Sequence, residues 1–306
     1  MLNFESVNTK KQYSYMKSFK IEKILIPIDF SETSLLAIEH AAFTAQLFKA
    51  DLVLLHVVEN HWERFNIVVP ELRIDPPNGI INAVEKRLEE IAGNIRSKYG
   101  VKSICITSNG TIFSEIISVS KEHTVDLIIM GTHGISGFAE FFVGSNTYKV
   151  ATQSECPVIS IQMNAKNLGF KEILLPIDLS EHSRQKVHHA VVLAKHFASQ
   201  IHLVGLEDSS DESELKKLEL HLDQIENFIK KNEIACVRTM VTAANQAKMT
   251  IDYATEVDAD LIIIMTDQDE NITGRLMGTY AQQIINHSKT PVMSIQPIVG
   301  NSDWGH

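Results

Sequence analysis

Residues 23–34 read Lys-Ile-Leu-Ile-Pro-Ile-Asp-Phe-Ser-Glu-Thr-Ser, and residues 172–183 read Glu-Ile-Leu-Leu-Pro-Ile-Asp-Leu-Ser-Glu-His-Ser. Eight of the twelve positions agree at an offset of 149. In the first copy the apolar run Ile24-Leu25-Ile26 is too short for a helix and reads as a buried strand that ends at Pro27 and Asp29. Ser31 then reads as the N-cap of a helix reaching about residue 49, with Glu32 near its positive end. Leu35, Ile38, Ala42 and Ala45 are expected on its buried face. The stretch is thus a strand–turn–helix unit, and the chain contains it twice.

The copies also agree at their far ends. Val125-Asp126-Leu127-Ile128-Ile129 matches Ala259-Asp260-Leu261-Ile262-Ile263, Gly144-Ser145 matches Gly278-Thr279, and Pro157-Val158 matches Pro291-Val292, all at an offset of 134. The second copy is therefore shorter in its middle, and the irregular segment 59–79, with Pro70, Pro76, Pro77 and Gly79, is where the first copy is longer. Each copy reads as βαβαβαβαβ, which implies parallel strands joined by right-handed helical crossovers. The expected organisation is a tail (1–20), a first domain (21–164), a second domain (170–298) and a second tail (299–306). Second-copy helices are expected near 181–198, 211–231, 244–256 and 278–288.

The bulk properties exclude several classes. A formal net charge of −10 argues against a broad nucleic-acid or anionic-membrane surface. No apolar run approaches the ~18–20 residues of a membrane span, and residues 1–20 lack the apolar core of a secretory leader. Cys105, Cys156 and Cys236 are far apart, so neither a disulfide framework nor a zinc ribbon is expected, and a reducing cytoplasm fits best.

Met130-Gly131-Thr132-His133-Gly134 follows the strand Leu127–Ile129, and Gly144-Ser145-Asn146 opens a later helix. Glycines at a strand end let backbone approach a ligand closely. A helix start offers unpaired N–H groups, so the combination suits phosphate. The same glycines also serve as plain turn residues, and Asp29 as a strand-end cap. There is neither a GxxxxGK[ST] pattern nor a GxGxxG, which disfavours a P-loop motor or a dinucleotide enzyme.

Taken together, Pro27-x-Asp29-x-Ser31, His56-Val57 at the end of the second strand, and Gly131, Gly134, Gly144 and Ser145 in a G-x2-G-x9-G-[ST] arrangement resemble the universal stress protein family, in a tandem two-domain form. The resemblance implies two α/β, flavodoxin-like (adenine nucleotide alpha hydrolase-like) domains, each a five-stranded parallel sheet flanked by helices and pairing through its last strand. It also implies ATP, ADP or AMP at the carboxyl strand ends. Pro27, Asp29, Val57, Met130 and Gly131 would border the adenosine, with the Val57 backbone facing adenine. Gly134, Gly144, Ser145 and the Asn146 N–H would hold phosphates. Mg²⁺ would arrive with the nucleotide, Asp29 being the residue to contact it. Asn146 departs from the family's usual Ser or Thr. No residue is expected to hold a metal independently of the nucleotide, and none is assigned to catalysis.

In the second copy Met265, Asp267 and Gln268 replace Gly131, His133 and Gly134, and Asp269 adds charge. That copy is expected not to bind ATP in the same way, but to stand in for the second subunit of a dimer, pairing Val158–Gln162 with Val292–Gln296. A homodimer of whole chains stays open, as do unknown protein partners.

His133 has no carboxylate pair or nucleophile at a recognisable spacing, and His188, His189 and His196 read as a surface helix face rather than a metal site. Phe138, Phe141 and Phe142 read equally as core, lid or contact patch. Three functions follow: a nucleotide-binding stress-response module, a slow nucleotide hydrolase using Asp29 and His133, or an interaction protein with no nucleotide.

Overall fold

The computed structural model describes residues 19–59, 78–132, 144–165, 167–180, 182–207, 211–266 and 279–298. The first half contains β1 (Lys23–Pro27), α1 (Glu32–Phe48), β2 (Asp51–Val58), α2 (Asn78–Tyr99), β3 (Ser103–Asn109), α3 (Ile112–Glu122), β4 (Leu127–Gly131), α4 (Ser145–Gln153) and β5 (Val158–Ile161). The second contains β6 (Glu172–Ile177), a 3₁₀ turn (Ser183–Lys186), α5 (Val187–Phe197), β7 (Gln200–Glu207), α6 (Glu212–Lys231), β8 (Ala235–Thr242), α7 (Gln246–Glu256), β9 (Leu261–Met265), α8 (Thr279–His287) and β10 (Val292–Ile295).

The ten strands form one sheet in the order β3-β2-β1-β4-β5-β10-β9-β6-β7-β8. Within each half every pairing is parallel. At the centre β5 and β10 pair antiparallel, with Ile159 opposite Met293 and Ser160 opposite Val292. The expected pairing of last strands is therefore present, and it fuses the two five-stranded sheets into one. Because the seam is antiparallel, the carboxyl strand ends of the two halves lie at opposite edges of the sheet.

The seam is dry. All four residues of β5 and all four of β10 are buried. The two serine hydroxyls inside it are satisfied reciprocally: Ser160 Oγ donates to the Val292 carbonyl and Ser294 Oγ to the Val158 carbonyl, each at 3.2 Å. One apolar cluster runs across the join, from Ile24 and Leu54 through Ile159, Phe170 and Met293 to Ile173 and Leu203. Each such Leu or Ile contributes roughly 1.5–3 kcal/mol by burial.

The strand–turn–helix reading of the first copy holds. Ser31 caps α1, its side chain accepting from the Ser34 N–H. Ile38, Ala42 and Ala45 are buried, but Leu35 is 39% exposed. The buried face of α1 also carries the small residues Ser34, Ala37 and Ala41. The expected single helix over 181–198 is replaced by the 3₁₀ turn followed by α5.

Two expectations at the histidine-bearing helix change. The Phe19 N–H donates to His188 Nε2 at 3.1 Å, and the Phe19 ring sits 4.4 Å from that of His189. Phe19 therefore belongs to the packed structure, not to a loose tail. His196 stacks on Phe48 of α1 with ring centroids 3.8 Å apart. The helix face read as solvent-directed is thus a contact between the halves. His40 of α1 completes it, fully buried with Nε2 3.3 Å from the Ala165 carbonyl of the inter-domain link.

Burial lowers the pKa of His40 and His188, and burial followed by repulsion from His188 lowers that of His189 to about 4. The unfolded chain takes up the His189 proton near 6.5 and the folded chain only near 4. The stabilisation is complete above about 6.5 and is lost as pH falls towards 4, amounting to roughly 3 kcal/mol. Urea unfolding at pH 7 and 4.5 is expected to show that His189→Gln, which cannot titrate, loses about 2 kcal/mol less than the parent over this interval.

Candidate functional site

At the carboxyl end of β1 the chain turns sharply. Asp29 Oδ1 accepts from the Ser31 N–H at 3.0 Å and the Ser31 hydroxyl at 2.6 Å. Ser31 Oγ in turn accepts from Ser34 N at 3.2 Å. Asp29 therefore orients the N-cap of α1, the cap role open to it on sequence. Its Oδ2 has no partner among the described residues. Phe30, between them, has φ 65°, a left-handed conformation unusual for a large side chain. Its ring stacks on His56 at 4.9 Å. His56 Nδ1 lies 2.7 Å from the Ile28 carbonyl, and Ile28 N donates to Leu55 O at 2.7 Å, so the ends of β1 and β2 are locked together. His56 was legible as a motif residue, but this structural role was not.

The glycines meet two close approaches. A Cβ on Gly131 would stand 3.0 Å from the backbone carbonyl carbon and the Cγ2 of Thr33, at the start of α1. A Cβ on Gly144 would stand 3.0 Å from the Thr132 carbonyl oxygen. The backbone itself holds α4 against the end of β4. Gly144 N donates to Thr132 O at 2.7 Å, Thr132 N donates to Ile161 O at 3.0 Å, and Thr147 Oγ1 donates to Gly131 O at 3.0 Å.

α4 begins without a side-chain cap on Gly144 and without an acidic residue in its first turn. The first-turn N–H groups at Ser145 and Asn146 precede the first intrahelical donor and point out of the helix start. This end also carries the positive pole of the helix dipole.

Of the residues expected on sequence, Pro27 ends β1 and Asp29 lies in the turn that follows, Val57 lies half-buried near the end of β2, and Gly131 ends β4. Gly144, Ser145 and Asn146 open the helix held against it. The Met130 side chain is 5% exposed and packs with Leu55, Ile116 and Val119, so only its backbone reaches this edge. His133, Gly134, Phe138, Phe141, Phe142, Asp267, Gln268, Asp269, Gly278 and most of the 59–79 segment lie outside the described residues. Among the described residues no group of three His, Cys, Asp or Glu could hold a metal ion.

The corresponding edge of the second half keeps the turn and loses the space. Asp178 Oδ1 accepts from the Ser180 N–H at 3.1 Å and its hydroxyl at 2.6 Å. Met265, which takes the place of Gly131 in the sheet register, is 4% exposed and joins the core. It carries a long side chain at the position where, in the first half, even a Cβ on Gly131 would stand 3.0 Å from Thr33. The second copy correspondingly begins with the 3₁₀ turn, and α5 starts only at Val187. Lys186, buried in that turn, donates to Ser183 Oγ at 3.1 Å. Burial works to raise the Asp178 pKa, but the Lys186 ammonium and the hydroxyls of Ser180 and Ser183 outweigh it and hold the carboxyl below its ordinary value. The burial of Lys186 beside Asp178 was not legible, because a lysine in a helical pattern reads as exposed until the fold covers it.

Residues 20–162 and 169–296 each match the sequence profile of the Universal stress protein family. The chain belongs to this family, with two copies of its domain. Universal stress protein YxiE of Bacillus subtilis is 36% identical over 148 residues, 46% of this chain and 98% of that relative. Universal stress protein MJ0577 of Methanocaldococcus jannaschii is 28% identical over 159 residues, 47% of this chain and 97% of that relative. Both relatives are thus about one domain long. A universal stress protein from Archaeoglobus fulgidus shares the fold over 91% of this chain and 97% of its own, with TM-score 0.71 and 22% identity.

Gly131→Val is expected to destabilise the protein by about 1–3 kcal/mol in urea unfolding, since the Thr33 backbone cannot rotate away. Met265→Gly is expected to cost about 2–5 kcal/mol by leaving a core cavity. Equal tolerance of valine at Gly131 and the parent would show that the close approach to α1 is not tight.

Proposed function

We propose that this chain binds one adenine nucleotide, as its Mg²⁺ complex, at the carboxyl strand ends of its first half, and acts as a nucleotide-responsive stress-signalling module. The observation that carries the reading is the uncapped start of α4, held against Gly131 and Thr132 where Cβ atoms would close the approach. Backbone N–H groups aimed outward from a helix start suit phosphate, and no neighbouring acid in the first turn opposes it.

In this reading Gly134, Gly144, Ser145 and Asn146 hold phosphates. Pro27, Asp29, Val57, Gly131 and the Met130 backbone border the adenosine. The Oδ2 of Asp29, unpartnered among the described residues, suits a ribose hydroxyl or a metal-bound water. Open α/β sheets accept ligands outside the carboxyl strand ends, which supports the placement. Met265 argues against an equivalent site in the second half. The three free cysteines suit a reducing compartment such as the cytoplasm. Nothing around the described site supplies an arginine or lysine clamp for rapid phosphoryl transfer, so the reading is of binding rather than turnover.

Titration calorimetry with MgATP is expected to give one site per chain. Gly144→Val should weaken binding at least tenfold and Ser145→Ala a few-fold, with the circular dichroism spectrum retained. Two equal sites, or unchanged affinity in Gly144→Val, would contradict the proposal.

A further inference from the structure

The second half keeps a cleft of about 250 Å³ at its carboxyl strand ends, lined by Asp178, Ser180, Leu206, Glu207, Glu214 and Leu218, among others. In the sheet register Leu206 and Glu207 occupy the places of Val57 and Val58 in the first half. The cleft therefore occupies the position at which the first half would face adenine, but its chemistry differs. Its lining residues include three carboxylates and no basic side chain.

These carboxylates are not equivalent. Asp178 already faces the Lys186 ammonium and the Ser180 hydroxyl. Glu214 lies half-buried in the first turn of α6, where the helix dipole favours it. Glu207 has no such compensation. It is 8% exposed, and its Oε2 accepts one hydrogen bond from Thr242 Oγ1 at 3.2 Å. Its Oε1 is buried with no hydrogen-bond partner among the described residues. Neither Glu207 nor Glu214 forms an ion pair among the described residues. An unpaired buried carboxylate oxygen is costly, and such groups are ordinarily satisfied by a donor.

We propose that this cleft is a second binding site, for a small organic cation whose ammonium or guanidinium group donates to Glu207 while its aliphatic stem lies against Leu206 and Leu218. A divalent metal fits less well, because no three potential ligands converge among the described residues. A phosphate is repelled by the carboxylates. An ammonium supplies several donors on a compact charge, and its charge-assisted hydrogen bonds to a carboxylate are among the stronger ones.

The probe is 1,4-diaminobutane, titrated calorimetrically into the full chain at pH 7.5, with 1,4-butanediol as its uncharged counterpart. One site per chain is expected for the diamine and none for the diol. Glu207→Gln should weaken binding at least tenfold, and Gly144→Val should leave it unchanged. If Glu207→Gln fails to fold, Glu214→Gln on the half-buried turn replaces it and is expected to weaken binding several-fold. The proposal is overturned by no heat at millimolar diamine, by equal binding of the diol, by undiminished affinity in the folded glutamate variants, or by displacement of the diamine with equimolar MgCl₂.

Discussion

The antiparallel contact between β5 and β10 is the constraint from which the rest of the structure follows. Each of these strands is short, apolar and buried on both faces, so neither could remain a sheet edge in water. Pairing them removes two exposed edges at once, and the reciprocal bonds of Ser160 and Ser294 satisfy the only hydroxyls in the seam. With the seam formed, α1 and α5 are brought together, and Phe48, His196, Phe43 and Phe197 pack between the halves. The duplication thereby encloses within one chain a contact of the kind that symmetric dimers make between subunits.

The same pairing places the two sets of carboxyl strand ends at opposite edges, so each can diverge without disturbing the other. At one edge Gly131 lets the first turn of α1 approach the end of β4, and α4 starts without a cap. At the other edge a buried Met265 stands at the equivalent position, the helix start gives way to a 3₁₀ turn, and Lys186 is buried beside Asp178. The glycine-to-methionine difference at the end of an otherwise matching strand coincides with a different local backbone, a continuous helix start in the first half and a 3₁₀ turn in the second.

Local patterns carried most of the fold. The alternation of apolar runs with helical periodicity, the Ser31 cap and the two-fold repetition at Pro27-x-Asp29 and Pro176-x-Asp178 are all readable within a few residues. The pairing of last strands followed from the repeat together with the family resemblance. What could not be read depends on distant contacts. Leu35 lies at the margin of the buried face of α1 and is exposed, which only the packed neighbours decide. His188 and His189 look like a polar helix face until Phe19 covers them. Of the site, the glycines were legible because only glycine tolerates such approaches. The buried Glu207 was not, since a glutamate ending a strand looks like any exposed turn residue until its burial is known.

The central claim is that two copies of one scaffold have become chemically unlike at their carboxyl strand ends while remaining one continuous sheet. A titration of ¹⁵N-labelled protein with MgATP, followed by amide chemical shifts, tests this most directly. The account predicts shifts concentrated at Val57, Gly131, Thr132, Ser145 and Asn146, with Met265, Thr266 and Thr279 unmoved. Comparable shifts at the two sets of residues would contradict it.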